Sequence, residues 1–421
     1  MPGSGGVMLS GGERAVARCD QLGKAPYSDM AEGLFRSYLS PAYVAAQRQL
    51  SAWMEQAGMT VRIDAAGNMI GRYEGQEAGP PLVIASHLDS VRDAGRYDGP
   101  LGIMLGIECV DDLRERQVRL PFPIEVYAFG DEEGSRFPAA MLTSRAVAGS
   151  LDPAMLAIED AAGVSLDTAL KTYPLRELSS ARFADARSSG ILGYLEAHIE
   201  QGPALEAANL PVGVVTGIAA QLRYKFTVRG RAGHAGTNSM RLRRDALAAA
   251  AAMLLAAESL AVNHGDGVVA TVGQLEVRPG APNVVPGEVR FTLDVRAPTN
   301  DRRDAVAQEI MAAFAAVARS RDVALSREAL QDLAASPCDP DWTDLLASAA
   351  LDLAVPCDRL VSGAGHDAMI MAALGRTAML FIRCDGGISH NPAEQVKADD
   401  VEDARQVMIR FIEKLGDNFR D

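Results

Sequence analysis

The chain has 421 residues, more than one hydrophobic core usually organises, so two domains are expected. Apolar residues at 48% and charged residues at 23% are ordinary for a soluble enzyme, and a formal net charge of −14 excludes the basic footprint that nucleic acid or an anionic membrane surface requires. A small anionic substrate is compatible with that charge, because local arginines or metal ions outweigh distant charges that salt screens over roughly 8 Å.

In chain order, residues 41–58 carry a helical pattern closed by a glycine. Residues 60–63 and 69–73 read as short strands turning through Asp64-Ala65-Ala66-Gly67-Asn68. The apolar run from Pro81 to Ala85 predicts a buried strand that delivers Ser86-His87-Leu88-Asp89-Ser90 at its end, with Tyr97-Asp98-Gly99 close behind. A helix over 101–116 leads to a second apolar strand, Phe122 to Phe129, which ends in Asp131-Glu132-Glu133-Gly134. Two strands thus bring acids and a histidine towards one edge of a sheet. Residues 149–187 lack periodicity and predict an excursion of helices and loops.

From Val214 the pattern changes to a strand over 222–228, a helix over 244–260, strands over 268–277 and 288–296, a helix over 301–320 and a strand over 323–327. That is the order of a split βαβ sandwich. The alanine-rich stretch 246–257 reads as a good helix former on a packed surface. The α/β rhythm then returns over 345–354, 366–373, 377–382 and a closing helix over 400–415. The expected architecture is an α/β catalytic domain, residues 1–213 and 331–421, with a mixed sheet flanked by helices and an inserted ferredoxin-like α+β domain over 214–330. Five cysteines without CxxC spacing predict neither a disulfide framework nor a zinc ribbon and fit a reducing cytoplasm. The N-terminal stretch 1–10 has no basic segment leading into a long apolar run, and no run of about eighteen apolar residues occurs, so neither export nor a membrane span is expected.

Five of the six histidines, His87, His198, His234, His366 and His390, sit among Gly, Ser, Asp, Glu or Asn rather than on an apolar helix face. His264, in Asn263-His264-Gly265-Asp266-Gly267, reads as a solvated turn. Imidazole and carboxylate donors together suit zinc or a similar divalent ion, and a carboxylate such as Asp98 is able to bridge two ions roughly 3.5 to 4 Å apart. His87, Asp98, Glu133, His198 and His390 supply the five ligands that two tetrahedral sites need when one ligand and one water are shared. Glu132 stands beside a ligand and is free to accept the water proton. An isolated Glu-Glu pair is ordinarily an exposed acidic turn. Here it follows a buried strand directly and precedes Gly134-Ser135-Arg136-Phe137, which places it at a strand end.

Seven motifs recur in order. They are Ser86-His87-Leu88-Asp89-Ser90 with Tyr97-Asp98-Gly99, Glu132 to Phe137, His198-Ile199-Glu200-Gln201-Gly202-Pro203, Gly233-His234-Ala235-Gly236-Thr237, Asn283-Val284-Val285-Pro286-Gly287, Ser362 to Ala368, and Gly387 to Glu394. Over nearly its whole length the chain resembles the hydantoinase/carbamoylase amidases, which are related to di-zinc peptidases. The resemblance implies two divalent ions per subunit, zinc or manganese with cobalt or nickel acceptable. It places His87 and His198 on one ion, Glu133 and His390 on the other, and Asp98 between them. Related peptidases tend to carry an acid where this chain has His198, which favours an amidase over an exopeptidase. The resemblance also implies that His234 reaches the active site of a neighbouring subunit and donates to the oxyanion, and hence that the insert serves as a lid and dimerisation domain of a homodimer.

Arg296, Asn283 and Arg223 match positions that bind the substrate carboxylate and its polar neighbours, and a guanidinium offers a carboxylate two parallel donors. For Arg223 an ordinary strand charge is an equal alternative. Gln201 is a further candidate for substrate contact, and His366-Asp367 is read as a pair that shapes the edge of the metal site. Many relatives carry a proline after Gly236-Thr237, where this chain has Asn238-Ser239-Met240, which loosens the loop behind His234. The expected reaction is hydrolysis of the ureido group of a small carboxylate. Allantoate is the first choice, an N-carbamoyl-L-amino acid or β-ureidopropionate the alternative, and a peptidase or aminoacylase the competing class.

Overall fold

The computed structural model describes residues 9–175, 182–265 and 267–419. Most of the N-terminal stretch 1–10, the centre of the 149–187 excursion, and Asp266 lie outside them. The chain divides into two compact units, one formed by residues up to 216, 338–360 and 366 onward, the other by 217–337 and 361–365.

The first unit is built on a mixed sheet. Its strands run in the order Thr60–Ile63, Met69–Tyr73, Ile124–Phe129, Leu82–His87, Gly193–Ile199, Arg376–Ile382 and Val212–Ile218. Pairing is antiparallel at both ends of this series and parallel among the four central strands. Leu82–His87, Ile124–Phe129 and Gly193–Ile199 are buried along their whole length, as strands covered on both faces must be. Helices Gly11–Leu22, Pro100–Glu115, Pro340–Asp352 and Ala398–Asn418 pack on one another and on this sheet. Ser10 and Glu13 form a capping box at the first of them, and Pro100 starts the second where its missing N–H costs nothing. The buried carboxylate of Glu108 holds that packing through Arg14, at 2.5 Å, and Arg18, at 2.7 Å. The 149–187 excursion contains short helical turns at Pro153–Ala157, Leu166–Lys171 and Phe183–Ala186.

In the second unit an antiparallel sheet runs Leu275–Arg278, Glu288–Ala297, Ala220–Arg229, Ala324–Leu333, with Val269–Thr271 also paired to Glu288–Ala297. This is the ferredoxin-like order. Along Glu288–Ala297 burial alternates strictly, so Val289, Phe291, Leu293, Val295 and Ala297 face the core while the intervening residues face away. Helices Ala246–His264 and Asn300–Ser320 cover the apolar face. By length and composition Ala246–His264 is able to cross a membrane, yet one side, Ala246, Ala249, Ala250, Met253, Ala257 and Ala261, is buried in the core of this unit. His264 ends this helix, and its Nε2 lies at hydrogen-bond distance, 3.0 Å, from Glu309 Oε2, so it is a helix-end residue with a partner rather than a free turn residue. The strand expected over 268–277 is two pieces, interrupted around Gly273, where Gln274 exchanges hydrogen bonds with Thr292.

Phe226, Phe291 and Phe314 form an aromatic cluster with ring centroids 5.1 to 5.8 Å apart and are essentially unexposed. Phe314→Ala should destabilise the second unit by about 3–5 kcal/mol, read as a lowered urea midpoint by circular dichroism; a loss below about 1 kcal/mol would show that the cluster is not a packing centre.

Candidate metal centre

The parallel strands end side by side. In register, His87 lies opposite Phe129 and Ile199 opposite Ile382, so the loops that follow these strands open on the same sheet edge. His87 closes its strand and His198 is the penultimate residue of another. Glu132 and Glu133 follow Phe129, Asp98 sits just before helix Pro100–Glu115, and His390 lies in the loop after Arg376–Ile382. Carboxyl ends of parallel strands are where open α/β sheets place ligands.

Asp98 is the hub of the cluster. Its Oδ1 lies 3.2 Å from His198 Nε2 and 3.9 Å from His87 Nε2, while Oδ2 lies 3.1 Å from His390 Nε2. His390 Nε2 is also 3.3 Å from Glu133 Oε1. One carboxylate therefore faces two donor groups, one with each oxygen. The two strand imidazoles meet at Nε2, 3.5 Å apart. Their Nδ1 atoms face carbonyl oxygens, His87 at 3.1 Å from that of Asp89 and His198 at 2.9 Å from that of Ile199. A carbonyl only accepts, so each Nδ1 carries a proton, and when the rings are neutral each Nε2 is the atom left to offer a lone pair towards its neighbour and Asp98. Lone pairs converging in this way call for a cation.

The electrostatics agree. Burial alone would lower the pKa of His87, but Asp89, Asp98 and Glu133 outweigh it and push it up to about 9. Hydrogen bonds to Asp98 and Glu133 raise that of His390 to about 10. Burial works against the Asp98 carboxylate, yet the His390 hydrogen bond and the His198 and His87 charges hold its pKa well below the usual range. The site favours positive charge, whether a proton or a metal ion carries it. Donor triads His87/Asp98/His198, Asp98/Glu133/His390 and His87/Glu132/Glu133 each lie within 4.8 Å, and Gln201 Oε1 is buried there without a hydrogen-bond partner. The residues present fit divalent cations. A further triad, Glu196/His198/His366, competes for His198, whose Nδ1 is committed to Ile199 and whose Nε2 faces Asp98.

Glu132 is buried, and that burial, with Glu133, Asp367, Asp89 and Asp98 nearby, pushes its carboxyl well above the usual range. Its loop is held by Asp89, whose oxygens accept from the Glu132 and Glu133 amides at 3.2 and 3.3 Å. Asp89 lies in the motif read from the sequence but was given no role there; its position two residues beyond His87 at a strand end was the available signal. His366 packs edge-on against His198, ring centroids 4.6 Å apart, and burial keeps it neutral, while Asp367 beside it is fully buried. The Gln201 amide donates to both oxygens of Asp98, at 3.1 and 3.2 Å. Asp131, Gln201 and His390 all have left-handed backbones, φ 53°, 58° and 54°, conformations that cost non-glycine residues of order 1–3 kcal/mol and collect at functional sites. Gly99, at φ 84°, lies so close that an added Cβ would stand 2.5 Å from the His87 ring.

The other expected residues lie in the second unit. His234 is exposed on the short strand Gly233–His234, opposite Val284, and the Ala235 amide donates to the Asn283 carbonyl at 2.9 Å, so His234 and Asn283 are neighbours. Arg243 braces the loop after His234 through the Ala235 and Asn238 carbonyls. That contact ties down the loop in which this chain carries Asn238-Ser239. Arg223 and Arg296 converge on Asp294, each through Nε and Nη2, and Gln221 joins them at 2.6 Å. Sequence reading missed Asp294, which looks like any outward charge on a strand. Its neutralisation of one guanidinium leaves the pair with a surplus positive charge.

Residues 83–414 match the peptidase family M20/M25/M40. The chain belongs to that family. A probable allantoate deiminase of Oryza sativa subsp. japonica is 40% identical, over 96% of this chain and 88% of its own length. An N-carbamoyl-L-amino acid amidohydrolase of Geobacillus stearothermophilus is also 40% identical, over 96% and 98%. Among solved structures, a hydantoinase/carbamoylase family amidase from Burkholderia ambifaria superposes with a TM-score of 0.90 at 34% identity, over 97% and 98%. Within the M20 peptidases this chain is a hydantoinase/carbamoylase amidase, a hydrolase of non-peptide C–N bonds that binds divalent metal. Zinc at roughly a thousand times its Kd should stabilise the chelator-stripped amidase by about 4 kcal/mol, read as a raised midpoint in chemical denaturation; an unchanged midpoint would mean that the donors hold no ion.

Proposed function

We propose that this amidase hydrolyses the ureido group of a small carboxylate, one water converting the carbamoyl part to ammonia and carbon dioxide and leaving its inner nitrogen on the substrate as the amine. The observation that carries the reading is the division of Asp98 between two donor groups, one per oxygen, which suits two cations held by His87 with His198 and by Glu133 with His390. Bound there, a pair of divalent ions, zinc or manganese in first place, supplies Lewis acidity to a water and to the ureido carbonyl. Glu132, beside Glu133 and raised in basicity by its buried acidic surroundings, takes the proton of the attacking water and returns it to the leaving nitrogen.

His234 is assigned to the developing oxyanion of a neighbouring subunit, which makes the enzyme a homodimer through its inserted domain. Asn283, adjacent to His234, and the Arg223/Arg296 pair with its surplus charge are assigned to the substrate carboxylate, with Gln201 as a contact from the metal side. Allantoate is the preferred substrate, supported by the name of the rice relative; the Geobacillus relative keeps N-carbamoyl-L-amino acids as the second reading. Five free cysteines suit a reducing compartment, and the cytoplasm is the proposed location.

Glu132→Gln should retain bound metal and lose about 10²- to 10⁴-fold in kcat, measured by ammonia release from allantoate, ureidopropionate and N-carbamoyl-L-amino acids. Turnover near wild type would remove the general-base role, and ammonia from none of these substrates would remove the ureido reading. His234→Ala should lower kcat by about 10²- to 10³-fold with the dimer intact by sedimentation; a fully active monomer of the unaltered protein would refute the shared site.

A further inference from the structure

Glu394 is fully buried, and no lysine or arginine among the described residues pairs with it. Its oxygens are nevertheless occupied. Oε1 accepts from two successive main-chain amides, Tyr97 at 2.7 Å and Asp98 at 3.1 Å. Oε2 lies 3.3 Å from Ser389 Oγ, and that hydroxyl also reaches Asp98 Oδ2 at 3.1 Å, so its single proton is shared between the two acids. The turn that carries Glu394 carries His390 as well and is closed by the Glu394 amide on the Asn391 carbonyl at 3.0 Å. A side chain at Gly95 would collide with Glu394, which shows how closely the 95–98 segment is laid against it.

We infer that Glu394 is a positioning residue that sets Asp98 as the bridge: it fixes the backbone of Asp98 from one side and, through Ser389, the turn bearing His390 from the other. The inference rests on the assignment of Asp98 and His390 as metal ligands. An unpaired acid buried beside another acid is unfavourable in a fold that needs only packing. It becomes understandable where two ligand-bearing segments almost three hundred residues apart must be held in register. A carboxylate reaches both because it accepts on two oxygens, and the amides it holds are those of the bridging residue and its predecessor. Partners of this kind, which orient ligands without touching the ion, are typically worth about 10- to 100-fold in metal affinity.

The test uses the full chain, stripped with chelator and titrated with cobalt(II) while the visible absorption of the bound ion is recorded. Glu394→Gln keeps length and shape; its carbonyl accepts from both amides and its amide group donates to Ser389 Oγ, so cobalt affinity should stay within about 3-fold of wild type. Glu394→Asp keeps the charge but is one methylene short, and affinity for cobalt should fall by about 10- to 100-fold. Wild-type binding in Glu394→Asp, or a loss in Glu394→Gln as large as that in Glu394→Asp, overturns the inference. Should the aspartate variant fail to fold, Ser389→Ala removes only the hydroxyl link, and unchanged cobalt binding in it overturns the inference equally. Asp98→Asn separates the two levels: undiminished cobalt binding there removes the ligand assignment itself, whereas weakened binding there with an unaffected Glu394→Asp removes the positioning role alone.

Discussion

Asp98 is a buried acid that three imidazoles approach from two directions, and this constraint organises the first unit. A desolvated carboxylate needs positive charge or hydrogen-bond donors close by, and the same small volume also holds Asp89, Glu132 and Glu133. No hydrophobic core gains from such a concentration of acids. The parallel strand order makes the arrangement possible, because it brings ligands from segments remote in sequence to one edge while the sheet interior remains apolar.

The second unit solves a similar problem with fewer charges. Asp294 draws two guanidinium groups together that would otherwise repel, and strict alternation along Glu288–Ala297 puts that trio on the face opposite the aromatic core. The acidic balance of the whole chain gives no hint of this local excess of positive charge, since the fields that matter act over contact distances.

Much of this was legible in the sequence because the chemistry sits where patterns break. The strands Thr60–Ile63 and Met69–Tyr73 fall on either side of the 64–68 turn as expected, and the acids and histidine after two apolar runs lie at strand ends as read. Gly193–Ile199 was not recognised as a strand: Glu196 and His198 interrupt its apolar pattern, although every residue in it is buried. Helix Gly11–Leu22 escaped because it opens with two glycines, which are small where Arg405 and the backbone of Glu402 press against them. Ala324–Leu333 extends beyond the expected end because its residues are mostly exposed and polar, so pairing with Ala220–Arg229 rather than burial defines it. Partnerships such as Asp89 with the Glu132 loop depend on distances that no periodicity encodes.

Gly99 leaves no room for a side chain of its own. With the His87 ring filling the space where a methyl would stand, every heavier amino acid there must displace an imidazole. A homologue that keeps all the donor side chains is still unable to seat them once this one position has gained bulk. When genomes are surveyed for working enzymes of this kind, an absent hydrogen-only side chain at that point separates degenerate copies from competent ones more cheaply than an inventory of the donors.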